Sequence, residues 1–329
     1  MVIISTAYSE LDKYIYKRSI ITIGSFDGLH LGHQEIFHKM SALKLELPSN
    51  SLNNYNNKVL ITFNPHPASI LNKKKIEKGY FLTPFSSKID LMKEHFDSFI
   101  DLILVISFTK DFSFVSAKDF FDKIIRSFDP SHIIIGDDHG FGHKREGNIN
   151  FLKKNYEHGK QEGNLKIHQI KGKKNKELNR ISSTLIRKSI LNGKIHHANM
   201  MLNRKYSLIG RVVKGRGIGK QINFPTINIK PMYKNQIIPL KGVYYVSLET
   251  DKKKYKGMCN IGVRPTLTNS KEETIEIHIF RAEIDLDFYD KEVKILFIKY
   301  IRSEKKFKNI DFLVKQLERD RELCLSFEE

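Results

Sequence analysis

Apolar and polar positions along this chain follow two different periods, and the change between them falls near residue 200. Before that point, short continuous apolar runs take turns with longer stretches of helical spacing. Residues 19–24, 58–63, 101–108 and 132–136 read as buried strands, whereas 32–47, 84–96 and 116–128 carry the spacing of amphipathic helices. An Asn/Ser-rich loop over 49–57 separates the first helix from the second strand. Strands alternating with helices predict βαβ units, hence a doubly wound parallel sheet covered on both faces. Ligands of such sheets sit beyond the carboxyl ends of the strands.

Two short helices, 182–192 and 194–202, meet at Gly193, and beyond them the pattern turns to β. Strands are expected over 206–213, 242–249, 255–261, 274–280 and 292–300, with Gly, Pro and Asn between them. That is the signature of a small antiparallel barrel or sandwich. A last amphipathic helix, 309–323, is expected to pack on its outside. The division that follows is a first domain over 1–186, a helical linker over 187–203 and a β domain over 204–329.

Composition narrows the classes. The 329 residues are 40% hydrophobic and 28% charged, enough for two ordinary cores. No apolar run approaches the roughly 18 residues of a membrane span, so no membrane partner is expected. Met1 to Thr6 lack the blocks of a signal peptide, and two cysteines, Cys259 and Cys324, cannot build a disulfide framework. The reducing cytoplasm is the expected address. The net charge of +19 invites a nucleic-acid reading, but its distribution redirects it. Residues 151–250 carry +17, and each flank carries +1. The charge is a central block; the lysine cluster of 171–176 inside it, and another at 252–254 just beyond it, can equally be plain solvated surface.

The first strand runs straight into Gly24-Ser-Phe-Asp-Gly-Leu-His-Leu-Gly-His33 and a helix. Glycines at a strand-to-helix turn let a ligand approach the backbone, and the helix N-terminus favours an anion. His30 and His33 are spaced to face one phosphate; as a four-residue motif alone they could equally be two unrelated histidines. Gly24, Phe26, Asp27, Gly28 and Gly32 complete the turn. Three segments join it. Thr62-Phe-Asn-Pro-His-Pro67 puts His66 at the same sheet edge. Ile135-Gly-Asp-Asp-His-Gly-Phe-Gly142 offers Asp138 as an acceptor for a ribose or base. Ile181-Ser-Ser-Thr-Leu-Ile-Arg187 opens a helix with Ser182, Ser183 and Thr184, which can cap it or hold phosphate, and returns Arg187 to that side.

The β half has its own cluster. Gly210-Arg-Val-Val-Lys-Gly-Arg-Gly-Ile-Gly219 is a basic, glycine-rich turn, a plain hairpin connection or a phosphate cradle of Gly215, Gly217, Gly219 and Lys220. Asn223-Phe-Pro-Thr-Ile-Asn228 follows, where Pro225 precedes two oxygen donors for Mg²⁺, Thr226 and Asn228. Asn260 opens Asn260-Ile-Gly-Val-Arg-Pro-Thr266. Glu276 and His278 share one face of their strand, opposite Ile275, Ile277 and Ile279. Arg302 and Glu304 follow the last strand.

At these segments the chain resembles the bacterial bifunctional riboflavin kinase/FAD synthetase family, with an N-terminal H-x-G-H nucleotidyltransferase domain of Rossmann-like fold and a C-terminal riboflavin kinase β-barrel. The resemblance implies phosphorylation of riboflavin to FMN by ATP, then transfer of AMP from a second ATP onto FMN to give FAD and pyrophosphate. It implies Mg²⁺ as cofactor, small molecules and no nucleic acid as partners, and roles for named residues. His30, His33 and Arg187 would stabilise adenylyl transfer; Thr226 and Asn228 would hold Mg·ATP; Glu276 would be the kinase base; Asn260, Arg302 and Glu304 would meet the flavin. The chain departs from the family pattern at Leu185, Asn203, Asn223, Ile227 and within 287–290, where Asp290 stands for glycine. Asn and Asp are the residues that best tolerate a lost glycine's positive φ. Two alternatives remain at this level: a class I aminoacyl-tRNA synthetase relative, which shares the histidine turn, and a basic RNA-binding barrel.

Overall fold

The computed structural model describes residues 1–16, 18–46, 57–72, 76, 79–157, 165–175, 179–215, 217–250, 253–265, 271–280 and 288–327. Of the positions singled out above, Arg216, the side chain of Lys220, Lys176, Lys252, Thr266, Asp287 and most of the 49–57 loop lie outside them. The chain divides into two compact units, Met1–Ser183 and Thr184–Glu329.

The first unit holds six strands: β1 (Val2–Thr6), β2 (Ile20–Ile23), β3 (Lys58–Asn64), β4 (Leu102–Ser107), β5 (His132–Gly136) and β6 (Lys166–Ile170). All pair in parallel, in the order β1-β4-β3-β2-β5-β6. Alternate residues of each strand face different layers. Ile21, Ile23, Val59, Ile61, Leu104 and Ile133 pack with Phe120, Phe121, Ile124 and Phe128 of the helix Ala117–Phe128. Ile20, Leu60, Ile103 and Ile134 pack with Phe37, Met40 and Leu43 of the helix Leu31–Glu46 and with Ile89 and Met92 of the helix Phe85–Phe96. Ser116 caps its helix by accepting from Asp119 N at 3.0 Å. After β2 the chain steps to β3 and β4, then crosses back to β5 on the other side of β2. The crevice between β2 and β5 is thus the switch point where open sheets bind ligands.

The second unit is a closed antiparallel barrel of β7 (Tyr206–Val213), β8 (Ile227–Pro231), β9 (Gly242–Glu249), β10 (Lys254–Pro265), β11 (Lys271–Ile279) and β12 (Glu292–Arg302), ordered β10-β11-β8-β7-β12-β9. Among the described residues, closure pairs each barrel strand on both sides. Tyr244, Val246, Leu248, Cys259, Ile261, Ile275, Ile277 and Phe297 are buried in its interior. Outward-facing Val243, Tyr245 and Met258 are covered by Val314, Leu317 and Cys324 of the C-terminal helix Ile310–Leu325. The segment expected as a linker packs within this unit: Asn199, on the helix Ile195–Leu202, donates to Phe297 O at 2.9 Å and accepts from Tyr206 N at 2.7 Å.

Three strands escaped the sequence pattern. β1 and β6 are five-residue edge strands with mixed burial, and β8 is five residues ending in proline. β2 and β5 are no longer but carry nearly continuous apolar runs, whereas Ser5 and Thr6, His168 and Gln169, and Asn228 and Lys230 break or shorten the runs of these three. Gly210 and Arg211 are in β7, as the strand expected over 206–213 requires, so the glycine-rich connection starts after Val213; it contains a helical turn, Ile218–Gln221. Arg211 donates to Asp290 O at 2.9 Å. The lost glycines leave their mark in the backbone: Asn203, Asn223 and Asp290 have φ of 57°, 57° and 62°.

Candidate active sites

In the first unit the turn after β2 is built from strained backbone. Phe26 and Leu29 have φ of 50° and 44°, and Gly28 has 85°. Such conformations persist where the surroundings enforce them. Here Asp27 does so: its carboxylate accepts from Leu82 N and Thr83 N, both at 3.1 Å, and its carbonyl accepts from Ser183 Oγ at 2.9 Å. Asp27, expected to line the phosphate site, is a buried clamp that locks the turn to two distant segments. The turn leads into the helix Leu31–Glu46, where His33 N and Gln34 N bond His30 O at 2.7 and 3.1 Å. The rings of His30 and His33 stack with centroids 3.7 Å apart, and Phe26 meets His33 edge-on at 5.2 Å. Gly24 lies under the Phe26 ring and Gly32 under His30.

His66 follows β3 and caps the short helix Pro67–Leu71, its Nδ1 accepting from Ala68 N at 3.1 Å. In the neutral ring the proton is therefore on Nε2. Asp138 follows β5 but meets Arg180 Nη2 at 2.8 Å, so a ribose would compete with a cation for it. Ser182 and Ser183 belong to this unit, whereas Thr184 and Arg187, farther along the helix Ser183–Leu191, fall in the second.

Sequence reasoning missed Lys88. This lysine, 4% exposed, donates from Nζ to Ser25 O at 2.9 Å and Thr62 Oγ1 at 3.0 Å. Burial pulls its ammonium down to about 8, with Asp27 pulling the other way.

In the second unit a cavity of about 400 Å³ opens between the barrel's outer face and the C-terminal helix. Its apolar wall includes Ile222, Phe224, Val243, Met258, Leu313 and Leu317. Its polar wall brings together six expected residues, Gly219, Thr226, Asn260, Glu276, Arg302 and Glu304. Register explains the grouping: Glu276 on β11 stands opposite Asn260 on β10 and Asn228 on β8. Directly opposed residues share one face about 5 Å apart, so the three form a row across the sheet. Gly215 packs against the Asn228 side chain, and a Cβ on Gly219 would lie 2.2 Å from Phe224 O. Gly217 has φ of 74°.

His278, next to Glu276 on the same face, is buried rather than solvated. Its Nδ1 lies 2.9 Å from Pro225 O, which fixes the backbone just before Thr226. Burial is the largest influence lowering its basicity. Inside the barrel, burial and then the Glu276 charge push the Cys259 thiol up, so it is an inert core group. Arg302 is held by Asp320, a second residue that sequence reasoning missed.

Comparison with known families now separates the two units. The FAD synthetase family model matches residues 12–185 and the riboflavin kinase model matches residues 202–327. A bifunctional riboflavin kinase/FMN adenylyltransferase of Buchnera aphidicola is 38% identical over 320 residues, covering 96% of each chain. The chain belongs to that bifunctional family.

It carries a FAD synthetase domain and a riboflavin kinase domain, in that order, and the aminoacyl-tRNA-synthetase and RNA-binding alternatives are not favoured. A bifunctional relative from Bacillus subtilis is 30% identical over 94% of this chain and 92% of its own, and one from Escherichia coli is 29% identical over 92% and 90%. A crystal structure from Streptococcus pneumoniae, described as a macrolide-efflux protein, covers 98% of this chain and 99% of its own with TM-score 0.82 and 27% identity. That likeness carries the two-domain fold end to end. Its described activity belongs to that protein; among the residues described here no helix is long and apolar enough to cross a membrane.

Proposed function

We infer that this chain phosphorylates riboflavin with ATP to give FMN and ADP, then transfers AMP from a second ATP to FMN, giving FAD and pyrophosphate. The kinase half rests on the Asn260–Glu276–Asn228 row beside an apolar cavity wall. That combination suits a flat aromatic ring system carrying a polar chain. Glu276 takes the proton as the ribityl hydroxyl oxygen attacks the γ-phosphorus, the bond to the bridging oxygen breaks, and ADP leaves with the electron pair. A loose phosphoryl-transfer transition state asks mainly for alignment. The row and the His278-anchored Pro225 backbone provide it. Gly215, Gly217, Gly219 and Lys220 belong to the connection assigned to the triphosphate, and Asn260, Arg302 and Glu304 face the flavin.

Mg²⁺ fits the donor set. Thr226 and Asn228 offer one hydroxyl and one amide oxygen beside Glu276, and among the described residues no group of three or more His, Cys, Asp or Glu forms a cation cage. Mg²⁺ keeps waters and takes substrate phosphate oxygens, so two protein donors suffice. Bound there, it would neutralise charge developing between the β- and γ-phosphates.

Adenylyl transfer needs no protein nucleophile. An FMN phosphate oxygen attacks the α-phosphorus and pyrophosphate departs. The stacked His30 and His33, at a helix N-terminus and a sheet switch point, are suited to steady the charge on the α-phosphate. Gly24, Phe26, Gly28, Gly32, His66, Asp138, Ser182 and Ser183 are assigned to binding ATP, and Asp27 to holding the turn. One chromatographic time course with riboflavin, ATP and Mg²⁺ tests both halves. Riboflavin should convert to FMN and then FAD. Absence of FMN would overturn the kinase assignment, and FMN that never becomes FAD would overturn the adenylyltransferase assignment.

A further inference from the structure

The helix Phe85–Phe96 turns an apolar stripe of Phe85, Ile89, Met92 and Phe96 toward the sheet, and Lys88 lies on that stripe. A lysine there is expensive, because burial disfavours its charge and both of its bonded acceptors are neutral oxygens. The charge whose field reaches it is that of Asp27. A structural core would be better served by leucine or methionine.

What the ammonium does is join segments. Ser25 is the second residue after β2 and lies in the turn that carries His30 and His33. Thr62 is on β3, four residues before His66. Lys88 itself follows closely on the Leu82–Thr83 stretch whose N–H groups the Asp27 carboxylate holds. One buried side chain thus cross-links the carboxyl ends of two adjacent strands under a turn with three positive-φ residues.

We propose that Lys88 is a positioning residue for adenylyl transfer, holding the histidine turn against β3 so that His30 and His33 meet the phosphate in fixed geometry. It touches no reacting atom. The proposal rests on the adenylyltransferase reading of the first unit, and the riboflavin kinase reaction of the same chain is the internal control.

The test uses the full chain with Lys88→Met, which keeps length and removes the charge, and with Thr62→Val and Thr62→Ser, which remove and retain the hydroxyl acceptor. FAD formation from FMN and ATP is followed at steady state, and amide hydrogen exchange is followed over residues 24–34. In Lys88→Met, kcat for FAD formation should fall about 100-fold, the scale of a small misplacement of reacting groups. KM for FMN and ATP should hold, kinase turnover should stay at the wild-type value, and the His33 and Gln34 amides should exchange faster. Thr62→Val should lose about tenfold in kcat, the worth of one charge-assisted hydrogen bond, and Thr62→Ser should restore it. Wild-type kcat in Lys88→Met, or a loss confined to KM with unchanged exchange, would overturn the proposal. Should Lys88→Met fail to fold, the threonine pair decides: equal kcat in the Val and Ser variants overturns it. Should the wild type form no FAD, the adenylyltransferase reading fails by itself, and exchange over 24–34 still judges the positioning role.

Discussion

Arg302 donates to the Asp320 carboxylate through Nε at 3.0 and 2.9 Å and through Nη2 at 2.7 Å, and Asp320 is only 2% exposed. Gln316 Nε2 adds a bond to the same carboxylate at 2.9 Å. The pair fastens the end of β12, where Arg302 lines the cavity, to the helix that closes it. Removing one partner leaves a buried charge uncompensated, at a cost of about 3 kcal/mol. Asp320→Asn should therefore lower urea stability by that order and raise KM for riboflavin, with FAD formation from supplied FMN retained. Unchanged stability and KM would show that the pair is incidental.

Glu276→Gln keeps the shape of the row across β8, β11 and β10 and removes the base. FMN formation should drop about 1000-fold, within the range of general-base catalysis, and conversion of added FMN to FAD should persist. Loss of both reactions in a folded variant would contradict the assignment of one reaction to each unit.

His30→Ala combined with His33→Ala should give the mirror result. Loss of groups aimed at transition-state charge costs about 100-fold or more, so FAD formation should fall below detection as FMN accumulates at the wild-type rate. Accumulation of FAD at the normal rate would remove the stacked pair from the chemistry.

Gly219→Ala tests the connection between β7 and β8. The new Cβ would sit 2.2 Å from Phe224 O, a backbone atom that cannot swing aside. Overpacking of this kind costs about 1–3 kcal/mol, and kinase turnover should fall with it. A variant with wild-type Tm and kinase rate would mean that this connection has room to shift.

Lys88 should also mark the pH dependence of stability. Its ammonium falls from an ordinary 10.5 to about 8 on folding, so between those values the unfolded chain binds the extra proton. The burial cost is full below pH 8 and is relieved as pH rises toward 10.5. Urea stability of the wild type relative to Lys88→Met should thus improve by about 3 kcal/mol across that window. A flat difference would mean that the ammonium is not desolvated.

Both overlooked residues left a faint trace in the sequence. Lys88 sits among Phe85, Ile89, Met92 and Phe96, and Asp320 continues the spacing of Leu313, Leu317 and Cys324, so each is a charge at a core position of an amphipathic helix. That pattern says a partner exists without naming it. Thr62 is 26 residues from Lys88 and Arg302 is 18 from Asp320, and no local rule spans those distances.

Both architectures and the class of chemistry were legible in the residues alone. Strand and helix periods are local, set by which face of each element must leave water, and the histidine turn and the Thr226–Asn228 pair are contiguous. Everything else depended on segments meeting across the fold. β1, β6 and β8 exist because a neighbouring strand offers hydrogen bonds to segments whose apolar runs are broken or cut short by polar residues. Asp27 became a clamp because Leu82 and Thr83 arrive beside it. Glu276 faces Asn260 and Asn228 because register, a long-range property fixed when the barrel closes, put them in one row.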